Sequence, residues 1–131
     1  MNSERIHFLI DLAIHEGKFD DFAITAKSMI AGTAGEAGAL EYEWFLSKDN
    51  SSCRLLESYA NPAAVQAHLS STVVRELVPK LLAFATISRF EVYGNPDEPS
   101  AAGLLAFGAQ IYRHWQGLPS QQSGTSSTAA D

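Results

Sequence analysis

Large apolar residues fall on every second position from Ile6 to Ile14. Ile6, Phe8, Ile10, Leu12 and Ile14 share one parity, and His7, Leu9, Asp11 and Ala13 the other. A period of two is that of a strand with one apolar face. After Glu16-Gly17 the period lengthens. Phe19, Phe22, Ala23, Ala26, Met29 and Ile30 form one helical stripe, with Asp20 and Asp21 in the first turn, where they suit the helix dipole. Gly32 and Gly35 are stop signals. Alternation returns over Leu40–Leu46 and again over Cys53–Tyr59. The polar run Ser47–Ser52 between them predicts a hairpin.

Asn61 and Pro62 then start a second helix. An asparagine oxygen can accept a free N–H of the first turn, and proline at the first helical position loses nothing by lacking its own. A further apolar helical run, Val73 to Phe84, is interrupted at Pro79, which predicts a kink or a break into two short helices. Ile87–Tyr93 is a fourth strand, ended by Gly94-Asn95-Pro96. The order is β-α-β-β-α-β. This predicts an α+β, ferredoxin-like fold: one antiparallel sheet with helices on one face. Residues 1–97 form that domain. Residues 98–118 are expected to add a helix, roughly Ser100 to Trp115, packed through Phe107, Ile111 and Trp115. Residues 119–131 read as a disordered tail, being almost entirely Ser, Gln, Gly, Thr and Ala.

The open sheet face decides the assembly. Counting parity along each strand puts Leu9, Phe45, Leu55, Tyr59, Ile87 and Tyr93 there, mixed with charges. Apolar surface of that size marks an interface. A second copy of the sheet packed on the first is the simplest cover, so a homodimer is expected.

Composition narrows the function classes. The 131 residues suffice for one domain with a real core. A net charge of −6 without a Lys/Arg cluster argues against nucleic acid. No apolar run is long enough to cross a bilayer and no leader pattern opens the chain, so a cytoplasmic protein without a membrane partner is the expectation. Cys53 is alone, which excludes an internal disulfide. His7, Asp11 and His15 share a strand face, but His7 and His15 lie roughly 26 Å apart at strand rise, so no metal site is expected.

The candidate for chemistry is His68. With Val65, Leu69 and Thr72 it follows helical spacing on the inward side of the second helix, facing Phe8, Tyr42, Trp44 and Phe90. A buried histidine bonded to a backbone carbonyl would show the same pattern, and alternating aromatics such as Tyr42 and Trp44 are ordinarily core. By parity Glu57 and Arg89 share the non-helix side. They read as a structural ion pair across the sheet or between subunits, with a catalytic carboxylate the second reading.

Three stretches carry a family likeness: Gly17-Lys18-Phe19-Asp20-Asp21-Phe22, Glu36-Ala37-Gly38-Ala39-Leu40-Glu41-Tyr42, and Glu57-Ser58-Tyr59-Ala60-Asn61-Pro62-Ala63-Ala64 with Gln66-Ala67-His68-Leu69. In order and spacing they resemble the antibiotic biosynthesis monooxygenase domain family, dimeric α+β barrels that include small quinol monooxygenases. The resemblance implies a monooxygenase oxidising a quinol, anthrone or similar phenolic aromatic with O2, with no cofactor. His68 would be its catalytic residue, and Phe8, Tyr42, Trp44, Tyr59 and Phe90 would bind substrate. Tyr59 stands where the family often has Trp, and the first strand has no Asn; this disfavours the haem-degrading branch. The alternatives are a non-catalytic dimeric domain that binds a small aromatic molecule, and a polyketide isomerase or cyclase using the same pocket.

Overall fold

A computed structural model describes residues 4–119; the expected tail therefore lies, from residue 120 onward, outside the described residues. The elements follow the predicted order: β1 (Ile6–Ile14), α1 (Phe19–Thr33), β2 (Ala39–Leu46), β3 (Ser52–Tyr59), α2 (Pro62–Leu69), a π turn (Val73–Leu77), α3 (Val78–Leu81) and β4 (Ala85–Tyr93). Asn61 caps α2 as its sequence requires, accepting from the Ala64 N–H at 2.9 Å. The irregularity expected at Pro79 is the widened turn before α3; the missing proline N–H removes one helical bond there.

The sheet runs β2-β3-β1-β4 with every neighbouring pair antiparallel, and it is an open sheet. Its inner face meets α1, α2 and α3 over two apolar clusters. One gathers Leu12, Phe22, Met29, Cys53, Val73 and Leu81. The other gathers Ile6, Phe8, Tyr59, Val65, Val92 and Leu104.

Register corrects the expected faces. Ile6 pairs with Tyr59, Phe8 with Glu57 and Ile10 with Leu55, so Leu55, Glu57 and Tyr59 all point inward with the apolar side of β1. In β4 a bulge shifts the pairing: Leu12 pairs with Ile87, whereas Ile10 pairs with Phe90. Ile87, Phe90 and Val92 therefore face inward together, although counting by twos from Ile87 does not reach Phe90. Arg89 pairs with Asp11 on the outer face. The expected Glu57–Arg89 ion pair does not form, because the two side chains lie on opposite faces. Arg89 instead donates to Glu91 at 2.8 Å. Leu9, Phe45 and Tyr93 do lie on the outer face, joined by Leu56 and Tyr112.

The second correction concerns the C-terminal segment. A helix forms, but α4 spans only Glu98–Ala106. The Gly108 backbone turns to φ +85°, a conformation that costs a side-chain-bearing residue, and the Gly108 and Ala109 N–H groups close the helix end on Leu105 and Leu104 carbonyls. The chain then enters β5 (Gln110–Tyr112), which pairs parallel with β4 and extends the sheet to β2-β3-β1-β4-β5. Ile111 packs on the second cluster as a strand residue, while Trp115 is 80% exposed rather than packed. The side expected to unite Phe107, Ile111 and Trp115 thus does not exist.

Candidate active site

Three elements converge on His68. The residue is 4% exposed, and its ring lies between α2 and the sheet. The loop after α1 supplies Glu36. Gly38 makes this approach possible: a Cβ there would sit 2.4 Å from the Ala64 Cβ, so only a bare backbone lets the loop press on α2. Ala60 N–H donates to the Gly38 carbonyl at 3.0 Å and fixes the contact. Glu36 then meets the histidine Nδ1 at 2.9 Å through Oε1 and 3.2 Å through Oε2.

The other ring nitrogen faces β3. His68 Nε2 lies 3.7 Å from Glu57 Oε1, too far for a direct hydrogen bond. Glu57 is 4% exposed, and the Tyr59 hydroxyl donates to the same Oε1. Burial raises the Glu57 carboxyl above the usual carboxylate range; the facing histidine and the tyrosine hydrogen bond pull the other way without overcoming it. Burial, reinforced by Glu57, likewise raises the Tyr42 and Tyr59 hydroxyls. A tyrosine hydroxyl is neutral at physiological pH in any case, and these shifts move both further from ionisation.

In the neutral imidazole, a Glu36 carboxylate, which can only accept, holds the proton on Nδ1 and leaves the Nε2 lone pair toward Glu57 and the cavity. Nε2 and Glu57 then face each other across a short gap, an arrangement suited to moving a proton off one substrate atom and onto another.

The gap opens into a small apolar cavity of about 70 Å³. Phe8, Leu12, Met29, Phe90 and Phe107 line it, with Tyr42, Glu57 and His68 as its polar points. Of the residues expected to bind substrate, Phe8, Tyr42 and Phe90 lie on this wall. Trp44 packs behind it, edge-on to Tyr42 at 5.7 Å and to Phe22 at 6.1 Å. Tyr59 is fully buried and reaches the site through Glu57; its ring lies 5.1 Å from that of His68. Glu36 was legible only as part of a motif. Glu57 had a readable signal: it shares parity with Cys53, Leu55 and Tyr59, the more apolar set of its strand. Cys53 is no nucleophile, since burial pushes its thiol up to about 11. Among the described residues, no group of three or more His, Cys, Asp or Glu side chains is placed to hold a metal ion. No helix among them is long and apolar enough to cross a membrane.

Comparison with known proteins bears on this arrangement. The family model for antibiotic biosynthesis monooxygenase matches residues 5–80. A search of curated proteins returns no match. Among solved structures, MupZ from Pseudomonas fluorescens is similar at 22% identity and TM-score 0.77, over 94% of this chain and 99% of its own. A conserved protein from Methanosarcina mazei Go1 is similar at 18% identity and TM-score 0.64, over 72% of this chain and 95% of its own. SnoaB, a cofactor-independent oxygenase from Streptomyces nogalater, is similar at 14% identity and TM-score 0.62, over 72% of this chain and 96% of its own. At these identities the likeness concerns the fold. The last two are matched nearly whole yet leave more than a quarter of this chain unmatched.

Proposed function

Since this chain belongs to the antibiotic biosynthesis monooxygenase family, we propose that it oxidises a phenolic aromatic, a quinol or an anthrone, with O2 and no cofactor, using His68 as base. The observation that carries the reading is the histidine itself: buried, bonded through Nδ1 to Glu36, and lining an apolar cavity with Nε2 turned toward Glu57. An electron-rich phenolate or enolate can be its own reductant for O2. For an anthrone the ring CH2 and O2 give a ring carbonyl and water; one oxygen atom enters the substrate, and the other leaves with both hydrogens. The residues need only remove the first proton, hold the resulting anion and keep water away. His68 serves the first step, the neutral Tyr42 hydroxyl donates to the anion, and the Phe8 and Phe90 rings exclude water. The reading includes a homodimer in which each subunit carries its own cavity, and SnoaB's description as a cofactor-independent oxygenase agrees with it.

Glu57 favours a second reading. A buried carboxyl raised above the usual carboxylate range, beside a histidine base, also suits acid–base isomerisation or cyclisation without O2. Oxygen uptake separates the two. Wild-type protein with 1,4-dihydroxynaphthalene or anthrone is expected to consume O2 in proportion to substrate. His68→Phe keeps the bulk and should lower the rate roughly 10²–10⁴-fold while preserving the melting temperature within a few degrees. No uptake across such a panel would refute the oxygenase reading. Uptake undiminished in His68→Phe would remove the histidine from its role.

A further inference from the structure

The cavity around His68 is closed at its inner end by Leu12, Met29 and Leu81, all buried. Among its lining residues Phe107 is the one that is exposed, at 41%. It therefore stands at the mouth. Its position comes from the segment beyond the family match. On one side Leu104 is fully buried and Ser100 Oγ donates to the Pro62 carbonyl at 3.2 Å, fastening α4 to the helix that carries His68. On the other, Ala109 is buried and β5 is paired to β4. Phe107 is thus an exposed side chain on a backbone pinned at both ends.

The space inside is room for a few water molecules. A ligand of several fused rings must displace a side chain to enter. The buried lining residues are held by their neighbours on every side, whereas Phe107 can turn outward into solvent without opening a void in the core. We infer that Phe107 is the specificity-determining residue of the site: its ring caps the mouth over small phenols and must swing aside for larger planar ones. This rests on the reading of the cavity as a phenol site and adds the element that sets ligand size.

Fluorescence titration of 1-naphthol and 1-hydroxypyrene tests it, since binding is read without any turnover. Wild type is expected to favour the two-ring probe. Phe107→Ala should shift the ratio of the two Kd values at least tenfold toward the four-ring probe, and Phe107→Trp should shift it the other way. Phe107→Leu, with an intermediate volume, should fall between wild type and the alanine variant and serves as the measure should Phe107→Ala melt early. Binding of both probes with a ratio unchanged within twofold in the folded variants overturns the role of Phe107 and leaves the phenol site standing. Failure of wild type to bind either probe overturns both.

Discussion

Glu57 shows how one residue can bear on stability and chemistry together. It is an acid placed where three apolar neighbours of the same strand parity already fix the register, so the strand cannot turn it outward without exposing Leu55 and Tyr59. Its carboxyl is raised mainly by burial. A folded-state pKa above the unfolded one means that the folded chain binds the extra proton more tightly. The stabilising contribution is then complete below the unfolded carboxylate range and fades as pH rises through the raised value. Glu57→Gln keeps the shape without the titration. Relative to this variant, the wild-type melting temperature should fall as pH is taken from 4 to 8. A constant difference across that range would show that Glu57 titrates as it does unfolded. His68, Tyr59 and Tyr42 face the same group and remain in both proteins, so the difference reads the carboxyl together with its coupling to His68.

At the level of elements, the extension after β4 joins the core through few residues. Leu104 is its main apolar contribution, buried in the same cluster as Ile6, Phe8 and Val65. Leu104→Ala should cost about 2–5 kcal/mol, read by urea denaturation, because the site is walled by α2 and β1 and cannot easily collapse. A loss below about 1 kcal/mol would mean that α4 is loosely held. The helix ends where Gly108 takes a left-handed backbone, and the residues beyond it add a strand. Apolar spacing in the sequence continued to Trp115 and so suggested one long helix. Periodicity cannot see that a parallel edge on β4 is available to capture Gln110–Tyr112.

For the whole molecule, the outer sheet face is the unresolved account of surface. Phe45, Leu56, Tyr93 and Tyr112 are each exposed beyond a third, and around them lie Asp11, Arg54, Arg89 and Glu91 in paired charges. Exposed apolar side chains beside a row of matched charges, Arg54–Asp11–Arg89, suit a face that meets its own copy across a two-fold axis. Light scattering at micromolar concentration should give twice the 14.2 kDa chain mass. Phe45→Asp, which places a charge on that face, should shift the population toward monomer with the fold retained by circular dichroism. A monomeric wild type would leave the exposed face without its cover.

Much of this architecture follows from local chemistry alone. Alternation placed four strands, helical stripes and the Asn61-Pro62 start placed the helices, and spacing beside Val65 and Leu69 turned His68 inward. These are short-range effects, carried by backbone period and capping, and a sequence displays them directly. Which face each strand presents is different. It depends on pairing between segments far apart in the chain, and a single bulge in β4 reversed the sense of parity between Ile87 and Phe90. The partners of His68 depend on it too. Glu36 arrives from a loop 32 residues away because Gly38 lets that loop touch α2, and Glu57 arrives by register with Phe8. A sequence fixes the groups that can do chemistry, whereas their meeting is a long-range packing outcome that only the folded chain determines.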